Sequence, residues 1–129
     1  MTNKKIIQSF FENVRSGQNV NSAPQYMHNI VHAHQVLAES HTDEVIERSP
    51  EDYANHVQEM KAMYGDFSLA IEEILSDGDK VYVRWRQVGT VDKKDVTEIG
   101  SAVYLLKDGK IAEYWIQLDR KGIEEQMNN

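Results

Sequence analysis

The sequence predicts an α+β domain in which a curved antiparallel sheet wraps around N-terminal helices and leaves a single pocket. Three observations predict it. The hydrophobic period changes near residue 66, from helical before it to alternating after it. The later segments are joined by short polar turns, and strands joined that way are antiparallel, because a parallel pair needs a crossover of about a dozen residues or more. Helical segments first and a strand meander after them place the helices together on one face of the sheet.

Each element has its own signal. Ile6, Ile7, Phe10, Phe11 and Val14 fall on one face of a helix, and Gly17 stands where a C-terminal stop is wanted. A second, short helix starts at Ser22, carries Pro24 in its first turn and runs to about Met27. A short strand over Asn29 to His34 completes the sheet, and the loop from Ala38 to Arg48 is polar. The third helix starts at Ser49 as N-cap, with Pro50 in the first helical position and Glu51 and Asp52 against the positive end of the dipole. Its apolar face is Tyr53, Val57, Met60 and Tyr64, and Gly65 ends it. Phe67, Leu69 and Ile71 then alternate with Ser68, Ala70 and Glu72 as a strand. Further strands run from Val81 to Val91, Val96 to Leu106 and Ile111 to Leu118. The turns between them are Ser76-Asp77-Gly78-Asp79, Asp92-Lys93-Lys94-Asp95 and Lys107-Asp108-Gly109-Lys110. A short helix through Glu124 to Met127 closes the chain.

Composition limits the chemistry. The 129 residues hold 14 Lys and Arg against 21 Asp and Glu, a formal net charge of −7, and the pI is about 5.2. That balance argues against a nucleic-acid partner, which would need a basic face, and against docking on an anionic membrane. With no cysteine, a disulfide scaffold, thiol catalysis and thiolate metal sites are excluded. The opening MTNKKIIQSFFENVRSG has no sustained apolar run, so neither a signal peptide nor a membrane span is expected there. A soluble, cytoplasmic protein of one domain over residues 1–129 is the expectation. There is no GxGxxG, P-loop, GxSxG or HExxH.

The last strand carries the candidate chemistry. In EYWIQLD, period two puts Glu113, Trp115, Gln117 and Asp119 on one face and Tyr114, Ile116 and Leu118 on the other. The second set is apolar and reads as packed against helix, sheet or a partner subunit. The first combines an aromatic wall, an amide and a carboxylate, and is expected to face the pocket. A carboxylate at the rim of an apolar cavity has a raised pKa and can exchange protons with a carbon acid. Asp119 has a second reading, as the cap of the terminal helix. Trp85 shares its parity with Val81 and Val83, which suits either core or pocket wall. His32 and His34 would share one face of a strand. A pocket hydrogen bond or a partly exposed pair suits them better than a metal site, since no third ligand stands at a telling spacing. His56 adjoins the apolar face of the third helix, one turn before Met60, where it can reach a cavity or lie on a solvated edge.

The order of elements resembles the nuclear transport factor 2-like (cystatin-like cone) superfamily, and more narrowly its SnoaL-like polyketide cyclase branch. IIQSFFENVRSG, AHQ around His34, DGDKVYVRWRQVGT and DGKIAEYWIQLDRKGIEEQ carry the likeness over most of the chain. The most specific positions are Asp108, Gly109, Lys110, Ile111, Glu113, Trp115, Gln117, Asp119, Gly122 and Gln126. The polar AESHTDEVIER loop departs from relatives, many of which carry Gly and Pro there. The resemblance implies a mechanism with no cofactor and no metal, in which Asp119 moves a proton in an aldol-type cyclisation or isomerisation. It further implies that Gln117 and His32 or His34 bind the enolate oxygen while Trp115 stacks on a flat substrate. The expected partner is a small hydrophobic or aromatic ligand. A homodimer through a sheet face bearing Tyr82, Tyr104, Tyr114, Ile116 and Leu118 is also expected.

Overall fold

The computed structural model describes residues 1–35 and 44–128. Helix α1 (Asn3–Phe10) starts at Thr2, whose hydroxyl accepts from the Lys5 amide, and runs on into one wide π-helical turn, Phe11–Arg15. The signature of that turn is a bond from the Ser16 amide to the Phe11 carbonyl at 2.9 Å. One extra residue in a turn rotates the residues after it by about 100° relative to an uninterrupted helix. Gly17 ends the segment at φ +82°. The second expected helix is instead a 3₁₀ turn that begins and ends earlier, over Val20–Gln25, with Pro24 inside it.

Strands β1 (Met27–Gln35), β2 (Glu44–Arg48), β3 (Ser68–Asp77), β4 (Lys80–Val91), β5 (Lys94–Lys107) and β6 (Lys110–Leu118) form one curved, unclosed sheet in the order β2-β1-β6-β5-β4-β3. The meander from β3 to β6 is antiparallel throughout. The β1 strand joins β6 in parallel, because the connection between them is nearly the whole rest of the chain. The polar loop expected up to Arg48 ends in strand β2, an edge strand pairing Val31 with Arg48 and His34 with Val45. Residues 36–43, the remainder of that expectation and His41 with it, lie outside the described residues. Asp92, Lys93, Asp108 and Gly109 all have positive φ, as two-residue hairpin turns require.

Helix α2 (Pro50–Tyr64) starts as read from the sequence. Ser49 and Asp52 form a reciprocal capping box, Pro50 opens the first turn, and Gly65 follows the end. Helix α3 (Arg120–Met127) starts as the second reading of Asp119 has it, with Asp119 as its cap, accepting from the Gly122 amide at 3.0 Å. Gln126 fastens α3 to the sheet, accepting from the Thr97 amide and donating to its carbonyl, each at 2.8 Å. Among the described residues no helix is long and apolar enough to cross a membrane.

The core lies between the helices and the concave face of the sheet. Ile7, Phe10, Phe11 and Val14 from the first helical segment meet Val31, Val81, Val83, Trp85, Tyr104 and Ile111 from the strands. A register shift between Leu105 and Leu106 brings Ile111 and Tyr114 to the same inner face although they are three apart. Gly100 pairs with Trp85, and a Cβ there would strike the indole ring.

A polar knot is set into this apolar layer. Arg15, 4% exposed, donates from Nη1 to Gln87 Oε1 at 2.8 Å and from Nη2 to Glu98 Oε2 at 2.9 Å. The same Glu98 oxygen accepts from Trp85 Nε1 at 3.1 Å. The guanidinium carbon lies 5.5 Å from the Trp85 ring centroid and 5.8 Å from that of Phe67, so its flat faces meet aromatic rings while its edges meet oxygen. Removing one partner would strand a buried charge. Arg15→Met is therefore expected to destabilise the fold by about 3–5 kcal/mol, read by urea unfolding. Arg15→Met combined with Glu98→Gln should recover part of that loss, and a double variant no better than the single one contradicts the assignment.

Candidate functional site

Between α2 and the concave face of the sheet the packing opens into a cavity of about 340 Å³. Helix α2 supplies one wall through Tyr53, His56, Met60, Met63 and Tyr64, residues spaced along one helical face. The opposite wall is Tyr114, Ile116 and Leu118 of β6, with Gln35 of β1 and Arg48 of β2 beside them. The floor is Arg15 and Glu98, and Arg120 and Ile123 of α3 cover one side.

The ionisable groups respond to burial and to the two arginines. The His56 pKa lies below the ordinary histidine value of 6.5, chiefly because burial disfavours the imidazolium, and Arg48 and Arg15 add to that effect. His56 is therefore a neutral imidazole at pH 7. Burial pushes the Tyr53 phenol well above its ordinary range, against the opposing pull of Arg15. It also raises Tyr114, with Arg48 and Arg15 pulling the other way. Both phenols stay protonated and serve as hydrogen-bond donors. A neutral base, two firm donors and an apolar surround can accept a proton from carbon and hold an oxyanion.

The residues expected from the sequence fall into two groups. His56 and Met60 line the cavity. Trp115 and Gln117 do not, because the parity expected for β6 is reversed: Tyr114, Ile116 and Leu118 point inward and Trp115 and Gln117 point to the convex face. The physical reason is that the cavity is a gap in the apolar layer itself, so the apolar set lines it. On the convex face Trp115 stacks on His34 with ring centroids 4.9 Å apart and planes 14° apart. His34 Nε2 donates to Glu113 Oε2 at 2.5 Å, and His32 lies on the same outer face beside Glu47. Trp85 is core, fully buried and bonded to Glu98. Asp119 is exposed at the α3 cap and borders a shallow outer depression, so the geometry does not bring it to the cavity. Likewise the five residues expected on a dimerising face are divided. Tyr104, Tyr114, Ile116 and Leu118 face inward, and Tyr82 is on the convex side. Among the described residues no group of three or more His, Asp or Glu is placed to hold a metal ion.

The sequence reading missed the phenols of Tyr53 and Tyr114 and the charges of Arg15, Glu98 and Arg48 as site residues, and each of the three charges left a signal. Arg15 stands four residues after Phe11, on the apolar stripe of its helix. Glu98 shares its parity with Val96, Ala102 and Tyr104, all buried. Arg48 shares parity with Ile46 on β2 and pairs with buried Val31. A charged residue in an apolar phase is the pattern common to all three.

Comparisons with known proteins agree on the fold. IdmH from Streptomyces antibioticus, assigned as a polyketide cyclase, superposes with a TM-score of 0.83 at 16% identity, covering 100% of both chains. A protein from Acidithiobacillus ferrooxidans with the same assignment gives 0.81 at 20% identity, over 98% of this chain and 95% of that one. AclR from Streptomyces galilaeus, assigned as a hydroxylase, gives 0.79 at 13% identity, over 98% and 84%. At such identities the likeness shows the nuclear transport factor 2-like cone fold alone. No curated protein matches the sequence. The model of the family described as SnoaL-like polyketide cyclase matches residues 5–127, and the chain belongs to that family.

Proposed function

We propose that the cavity performs cofactor-free general acid/base chemistry, an aldol-type cyclisation or isomerisation, on a hydrophobic carbonyl-bearing substrate. The observation that carries this reading is the neutral His56 imidazole facing the same apolar cavity as the protonated hydroxyl groups of Tyr53 and Tyr114. In this scheme His56 takes a proton from the carbon next to the carbonyl, and the phenols donate hydrogen bonds to the enolate oxygen. Met60, Ile116 and Leu118 hold the apolar body of the substrate. The proton on His56 returns to the product, so no group is consumed. The role first expected of Asp119 passes to His56 because Asp119 Oδ1 is engaged at the α3 cap.

The scheme is tested by exchange of the α-protons of 1-indanone in deuterated water, followed by NMR. The wild type should accelerate exchange, and His56→Asn should lower the rate by about 10²–10⁴-fold. Asp119→Asn should leave it unchanged, since asparagine caps a helix as well as aspartate does. Loss of exchange in Asp119→Asn with retention in His56→Asn would return the role to Asp119. Binding of the ketone without exchange would mark a non-catalytic ligand-binding module.

The pH dependence has a definite sign. The base works when neutral, so activity is present above the His56 pKa and lost as pH falls through it. Because that pKa lies below 6.5, the midpoint of the fall in rate should lie below pH 6.5. A midpoint above pH 6.5 would contradict the assignment.

We also infer a homodimer through the convex face. Val45, His34, Trp115, Val103, Tyr82 and Leu75 are cross-strand partners in sequence and form one largely apolar row over all six strands. Val45 is 48% and Leu75 57% exposed, so the row is bare at both ends. Sedimentation should show a dimer at micromolar concentration, shifted to monomer by Val103→Glu; a monomeric wild type would count against it.

A further inference from the structure

The charges around the cavity do not balance. Arg15 is neutralised by Glu98, whose Oε2 serves both Arg15 and Trp85. Arg48 is placed differently. It pairs with Val31 across the β1–β2 ladder, whose side chain is buried in the core, so the arginine stands on the inner face of the sheet. It lines the cavity, and its Nε is buried with no hydrogen-bond partner among the described residues. Nor has it an ion-pair partner among them. A buried cationic N–H without an acceptor is costly and rare in a folded protein, and it calls for a ligand.

We propose that Arg48 is an anion-binding residue, and that the cavity takes a substrate bearing a carboxylate on a flat apolar body. A guanidinium offers a planar fork of donors that matches a carboxylate in bidentate fashion, which an ammonium does not. Met60, Met63, Ile116 and Leu118 give the wall an apolar stretch that suits a ring system. The positive field is felt by the neighbouring groups as well: Arg48 lowers the pKa of His56 and counteracts the burial of Tyr53 and Tyr114. With the carboxylate anchored on β2, the rest of the molecule lies toward α2, where His56 and Tyr53 stand. Specificity follows from the same geometry, because a neutral analogue would leave the arginine without its counter-charge. This inference rests on the cavity being the ligand site and adds the charge of the molecule that enters it.

The experiment compares 2-naphthoate with 2-naphthamide, two bicyclic probes of the same shape, one anionic and one neutral, by isothermal titration at low ionic strength. The wild type should bind the acid at least about tenfold more tightly than the amide. Arg48→Gln should bring the two within about twofold, and a circular-dichroism spectrum matching the wild type shows that the variant is folded. Arg48→Lys should restore part of the preference, since it returns the charge without the fork. Equal affinity of acid and amide in the wild type overturns the proposal but leaves the cavity as a ligand site. A preference that survives in Arg48→Gln also overturns it, and transfers the role to another cation. Failure of both probes to bind removes the ligand-site reading and this inference with it.

Discussion

Burial of one guanidinium organises the molecule. Arg15 can leave water only because Glu98 and Gln87 meet its edges and two aromatic rings meet its faces. Satisfying those conditions fixes several other features. The π turn rotates Arg15 into line, Gly100 leaves room for the Trp85 ring, and β4 and β5 must keep the register that places Gln87 opposite Glu98. An apolar core tolerates small slips in packing, whereas a strand slipped by one residue would carry Glu98 to the other face and leave Arg15 unpaired. The knot thus specifies the alignment of helix and sheet, and the cavity opens on its exposed side.

The elements were largely legible because they obey local rules. The capping box at Ser49, the positive-φ turns and the apolar stripe of α1 are each written within a few residues of the chain. The features that escaped were non-local. Strand β2 is short and at an edge, so its polar sequence resembles a loop, and it is recognised only through its pairing with β1. The parallel pairing of β1 with β6 spans most of the chain, and no short-range signal encodes it.

The candidate site was less legible, because polar residues on a strand do not by themselves mark the pocket side. On β6 the polar and aromatic set, Glu113, Trp115 and Gln117, decorates the convex face, where Trp115 and His34 shelter each other. The inward set is the largely apolar one, and most polar groups in the cavity come from elsewhere, from α2, β1, β2, β5, α3 and the end of the first helical segment. Tertiary structure assembles them from positions scattered over the sequence. His56 is within reach from its place on the third helix, whereas Arg15 and Glu98 leave only the trace of a charge standing in an apolar phase. Within the block most specific to the family, Asp108, Gly109, Asp119 and Gln126 shape the hairpin, the cap and the fastening of α3.

That fastening has a kinetic side. Helix α3 has eight residues and no buried side chain, too short to persist in water by itself. It stays in place through a cap at one end and an amide clasp at the other, the Gln126 side chain bonding Thr97 much as a neighbouring strand would. A few hydrogen bonds, each contributing about 1 kcal/mol net, hold the segment that bears Arg120 and Ile123 against the cavity. The clasp can come undone without disturbing the core, so α3 belongs to the class of locally unfolding units, with its amides exchanging ahead of those in the sheet. The wall that Arg120 and Ile123 give the cavity is thus held by hydrogen bonds at the two ends of α3 and by no buried side chain of its own.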